Sequence, residues 1–85
     1  MQYLVIVEKA ENNYAAFSPD VPGCVATGAT VEQTLTEMRS ALEFHLEGLS
    51  EMPQPKGLRY YVERGDLLHE AEALFTELQL PRLAA

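Results

Sequence analysis

Apolar and polar positions divide the first two thirds of the chain into short alternating runs and one long stripe. Residues Gln2 to Glu8 (QYLVIVE) are apolar on both parities, Tyr3, Val5 and Val7 on one and Leu4 and Ile6 on the other. A strand apolar on both sides belongs in the middle of a sheet that is covered on both faces. Glu11-Asn12-Asn13 has turn chemistry, because Asn tolerates positive φ and caps its own backbone. Tyr14 to Ser18 then reads as the second arm of a hairpin. Pro19-Asp20-Val21-Pro22-Gly23 is a rigid loop whose prolines fix φ, and Cys24 to Gly28 reads as a short third strand.

A helix follows. Thr30 is its candidate N-cap and Gln33, three residues on, completes a capping box. Val31, Leu35, Met38, Leu42, Leu46 and Leu49 recur at steps of three and four, with Glu32, Glu37, Arg39, Glu43 and Glu47 opposite. Gly48 is a possible C-cap, and Pro53 and Pro55 end the helix by Met52. Beyond them Leu58 to Arg64 (LRYYVER) alternates, which predicts a half-exposed edge strand. Gly65 breaks it. Asp66 can cap a second helix to about Gln79, with Leu67, Leu68, Ala71, Leu74, Phe75 and Leu78 as its apolar positions.

The predicted order is β-β-β-α-β-α, an α+β domain. Three strands form an antiparallel meander, and the first helix is a right-handed crossover to a fourth strand parallel to the first. Residues 1–64 make the domain, and 65–85 are a C-terminal helix and tail with no separate DNA-binding domain.

Length changes this picture by limiting the core. An 85-residue chain buries roughly 60–65% of its unfolded surface and needs added support. Cys24 is the only cysteine, so no disulfide forms within the chain, and a lone thiol suits a reducing, cytoplasmic setting. His45 and His69 sit in no ligand cluster, so neither a metal nor another cofactor is expected. Association remains. The apolar positions Leu67, Leu68, Leu74, Phe75 and Leu78 exceed what one small sheet covers, which predicts a homo-oligomer, a dimer or tetramer.

Charge narrows the partners. Thirteen Asp and Glu against six Lys and Arg give a formal charge of −7. Such a field repels phosphate backbones and anionic lipid, so neither specific DNA binding nor a membrane is expected, and it attracts basic proteins. Keeping a small domain soluble is an equally good reason for it. The apolar run Met1 to Val7 is far shorter than a membrane span and lacks the flanks of a signal peptide.

No fragment carries the chemistry of an enzyme. Gly23 to Thr30 (GCVATGAT) has the glycine spacing of a phosphate loop, but Ala29 stands where its lysine is needed. His69-Glu70-Ala71-Glu72-Ala73 starts like a zinc-protease helix and lacks the second histidine. Cys24 has no histidine or helix N-terminus beside it to activate the thiol. Glu8, Glu11, Asp20 and Glu63 could converge on a divalent ion, yet a solvated rim explains them as well. Tyr14, Phe17, Tyr60 and Tyr61 could stack RNA bases, but the accompanying Lys/Arg density is missing, and core packing is the better account.

The stretch Tyr14-Ala-Ala-Phe17-Ser-Pro19-Asp20-Val21-Pro22-Gly23-Cys24, continuing to Gly28 and Thr30 and into the Glu32 to Leu49 helix, resembles the HicB-like antitoxin family. The likeness covers residues 3 to 64, with P-D-x-P-G-C as its most specific element. It implies a partial ribonuclease-H-like fold without nuclease activity. It also implies a HicA-like partner, a small basic mRNA-cleaving toxin that this chain neutralises. Many members add a C-terminal DNA-binding unit, and here Gly65 to Ala85 hold only one Lys or Arg, Arg82. The loop Pro19, Asp20, Val21, Pro22 and Gly23 is the candidate toxin-binding element, with Asp20 offering a carboxylate to an Arg or Lys. Local turn formation explains these five residues equally well. The alternative function is a stand-alone oligomeric domain with another partner or ligand.

Overall fold

The computed structural model describes residues 1–65 and 73–80. Its elements are β1 (Gln2–Lys9), β2 (Tyr14–Phe17), β3 (Val25–Gly28), α1 (Val31–Glu47), α2 (Leu58–Arg64) and β4 (Ala73–Gln79). The four strands form one sheet in the order β3-β2-β1-β4, antiparallel throughout. β1 is central and its residues Tyr3 to Val7 are buried, as expected of a strand apolar on both parities.

α1 covers one face. Thr30 Oγ1 accepts from Gln33 N at 3.0 Å, while Gln33 Oε1 accepts from Ala29 N at 2.7 Å, so the side chains satisfy two donors at the helix entry. Thr34, Met38, Leu42 and Leu46 are its buried stripe, packed on Tyr3, Val5 and Val7. The helix ends at Glu47, with the Gly48 N–H donating to His45 O at 3.2 Å. The other face of β1, Leu4 and Ile6, packs with Tyr61 of α2, Phe17 and Ala73.

Two expected elements differ. Leu58–Arg64 is the helix α2 and not an edge strand. Seven residues are too few for periodicity to separate the two states. The helix is delimited by Gly57 and Gly65, at φ 84° and 74°, conformations that suit glycine. Within it Arg59 and Glu63 become i,i+4 partners at 2.9 Å, and Tyr61 becomes the buried residue.

Second, Ala73–Gln79 is the strand β4 and not part of a C-terminal helix. β1 has a second hydrogen-bonding side beyond the one that faces β2. β4 fills it antiparallel over seven residue pairs, Gln2↔Gln79 to Glu8↔Ala73. The fourth strand therefore runs antiparallel to β1, not parallel to it, and it lies within the same sheet. Mutual bonds between Met1 and Leu80, both 2.8 Å, extend the pairing. Arg39 Nη1 donates to Gln79 O at 2.6 Å and fastens β4 to α1. Tertiary pairing has overridden the helical spacing of Leu74, Phe75 and Leu78.

Candidate functional site

The loop Pro19–Gly23 is held by consecutive turns, Val21 N to Ser18 O at 3.2 Å and Cys24 N to Val21 O at 3.3 Å. Gly23 turns the chain into β3 at φ 86°. Val21 is buried, and Pro22 and Gly23 are exposed.

Asp20 points inward, not towards a partner. It is 6% exposed and its carboxylate accepts three hydrogen bonds. Leu4 N donates to Oδ2 at 2.9 Å, while Lys56 N at 2.9 Å and Tyr61 OH at 2.6 Å donate to Oδ1. The register explains the first bond. β2 pairs with β1 only from Ile6 onward, so the earlier half of β1 lacks a strand on that side, and Asp20 takes the strand's place. The same carboxylate fixes the segment leading into α2 and the α2 tyrosine. The expectation that Asp20 offers a surface carboxylate fails on this geometry. Its charge also acts on Tyr3. Burial first, and the Asp20 charge second, push the Tyr3 phenol above its ordinary value, and that hydroxyl donates to Pro53 O at 2.8 Å.

Of the other expected contact residues, the three among the described residues, Leu74, Phe75 and Leu78, do not share one patch. Leu78 is buried beneath α1. Leu74 and Phe75, 45% and 38% exposed, lie on opposite faces of β4, Leu74 opposite Val7 and Phe75 opposite Ile6. Leu67 and Leu68 lie outside the described residues, as does His69.

No group of three or more His, Cys, Asp and Glu among the described residues could hold a metal ion. Burial pushes the Cys24 thiol above its ordinary value, away from the reactive thiolate. Of the four aromatics weighed for stacking, Tyr61 is buried and Tyr14 and Phe17 half-buried. Tyr60 is 40% exposed, with Lys56 Nζ at 5.9 Å and Arg64 Cζ at 5.2 Å from its ring centre. No helix among the described residues is long and apolar enough to cross a membrane.

Sequence reasoning missed a surface beside the loop. One residue after Gly23, at Val25, the chain becomes β3, an outer strand of the sheet. Val25 is 67% exposed, and Phe44 of α1 is 80% exposed. A groove between them is lined by Val25, Ala26, Thr27, Glu37, Ser40, Ala41 and Phe44. The signal available was Phe44 itself, a large aromatic standing off the apolar stripe of α1.

Residues 3–76 match the family model described as HicB_like antitoxin of bacterial toxin-antitoxin system. The chain belongs to this family. An uncharacterized 14.9 kDa protein of Haemophilus phage HP1 is 31% identical over 68 residues, 75% of this chain and 51% of that protein. A UPF0150 protein of Helicobacter pylori is 41% identical over 44 residues, 52% of this chain and 61% of its own length. The chain thus matches about half to three fifths of the length of these relatives.

Among solved structures, a chain of the HicA3 and HicB3 toxin-antitoxin complex aligns with a TM-score of 0.68 at 25% identity, covering 88% of this chain and 94% of that one. The N-terminal domain of Burkholderia pseudomallei antitoxin HicB shares the fold, with a TM-score of 0.72 at 20% identity over 94% and 100% of the two chains. The fold of this HicB-like chain is therefore a four-stranded antiparallel sheet with helices, as in HicB antitoxin domains.

Proposed function

We propose that this HicB-like chain is a non-enzymatic antitoxin module that binds and silences a small basic HicA-type mRNA-cleaving toxin in the cytoplasm. The observation that carries the reading is the family match across residues 3–76, joined to a fold shared with a chain solved in a HicA3 and HicB3 complex. Electrostatics supports it, because a chain of charge −7 and a basic ribonuclease attract one another. The same charge weighs against specific binding to duplex DNA by the described domain. A self-associating domain with another partner is the second reading, favoured by the exposed Leu74 and Phe75 and by the outer strands β3 and β4.

Co-expression with the small protein encoded beside this chain separates the two. Growth arrest by the neighbour alone, relieved by this chain, supports the antitoxin reading. A neighbour that is harmless alone, or that stays fully toxic with the folded chain present, defeats it.

A further inference from the structure

We infer that the free edge of β3 and the adjoining groove of α1 take up an extended, cationic segment of the partner as a fifth strand of the sheet. The inference rests on the antitoxin reading and assigns its contact surface.

Two rows of side chains end at this edge. On the α2 face the registers Ile6↔Phe75, Ile6↔Phe17 and Phe17↔Val25 make one apolar row across all four strands. It runs out at Val25, 67% exposed at the rim. On the α1 face the groove wall is Glu37, Ser40, Ala41 and Phe44, spaced at three and four residues and so on one side of the helix. Phe44 is the most exposed of the large hydrophobic residues among those described, at 80%. An added strand would present alternate side chains to both rows at once.

The edge is also open to backbone pairing. Among the described residues no strand lies outside β3. Val25-Ala26-Thr27-Gly28 carries none of the charges or prolines that usually guard an edge. Peptide capture by strand addition uses such an edge for affinity and the alternating pockets for choice of sequence.

Charge selects the occupant. Glu37 sits in the groove wall, and Glu47, three residues beyond Phe44, extends the same side of the helix and is exposed. A second copy paired across a twofold axis would bring its own row of α1 glutamates beside this one, like charge beside like charge, which is unfavourable. A partner segment with an apolar residue for Phe44 and Ala41, flanked by Lys or Arg, meets both demands.

The test uses the full chain and the purified HicA-type toxin. Backbone hydrogen exchange of residues 25–28 is followed with and without toxin, and affinity is measured for Phe44→Lys and Glu37→Lys. Phe44 and Glu37 are exposed, so both variants should fold. Slower exchange at 25–28 on toxin binding, with affinity lowered about tenfold or more by Phe44→Lys, supports the inference. Toxin binding with unchanged exchange there and wild-type affinity for both variants overturns the site and leaves the antitoxin reading standing. Absence of toxin binding by the folded wild-type chain overturns both. Light scattering supplies the remaining arm: a dimer that Phe44→Lys splits would show that a second copy covers the edge, which also overturns the inference.

Discussion

Asp20 shows how one side chain can take the place of a missing strand. Its three donors come from β1, from the segment before α2 and from α2 itself, so removing the carboxylate leaves two backbone N–H groups and a buried phenol without their acceptor. Unpaired buried donors cost more than the net value of the bonds they once made. Asp20→Ala should therefore lower the unfolding free energy by roughly 2–4 kcal/mol, measured by urea denaturation. Two positions earlier the opposite holds. Ser18 is buried and its hydroxyl has no hydrogen-bond partner among the described residues. Ser18→Ala should leave stability within about 0.5 kcal/mol of wild type or raise it, since the desolvated hydroxyl returns nothing. Equal effects of the two substitutions would contradict this account of the loop.

At the scale of elements, the close approach of β3 to α1 depends on a glycine. A Cβ at Gly28 would stand 2.8 Å from Thr34 N and 2.6 Å from Thr34 Oγ1, and the first of these is helix backbone that cannot swing away. Gly28→Ala should push the β3 end from the α1 entry and cost roughly 1–3 kcal/mol, read as a lower thermal midpoint. Wild-type stability in that variant would mean that the two elements separate freely. The sequence showed the glycine but not this contact, and the difference is general here. β1, β2, β3 and α1 were legible because each carries a local signature: two apolar parities, Asn-rich and Pro-Gly turns, and a capped stripe. α2 and β4 were not. Leu58–Arg64 alternates as a strand would, yet becomes helical between Gly57 and Gly65, with Tyr61 tied to Asp20 across 41 positions. Leu74, Phe75 and Leu78 have helical spacing, yet they pair with β1, more than sixty residues away. The candidate site divides in the same way. The Pro19–Gly23 loop was visible as a rigid turn, while the inward aim of Asp20 depends on partners 16, 36 and 41 residues away.

At the scale of the molecule, α1 and α2 among the described residues differ in charge. α1 displays Glu32, Glu37, Glu43 and Glu47, all exposed, and its single Arg39 is turned to Gln79 O. Lys56, Arg59 and Arg64, three of the six Lys and Arg, gather at α2 on the opposite side of the sheet. Four exposed glutamates on α1 make that face a stronger attractor for a basic partner than the average charge suggests. On the proposed antitoxin reading, association with a HicA-type toxin should slow as salt rises from low to several hundred millimolar, by about tenfold or more, with dissociation changing less. Face sorting gives the prediction a direction as well as a sign. Glu43→Lys on α1 should slow association at low salt and flatten its salt dependence, because it reverses a charge on the acidic α1 face. Lys56→Glu adds the same kind of charge change with opposite sign on the far face, so its effect on the rate should be smaller than that of Glu43→Lys. Stopped-flow measurement of both variants across a salt series checks the argument. If the two substitutions shift the rate equally and oppositely, net charge alone guides the encounter. If the rate does not respond to salt, the acidic face does not steer the partner, and affinity must come from the apolar rows that end at Val25 and Phe44.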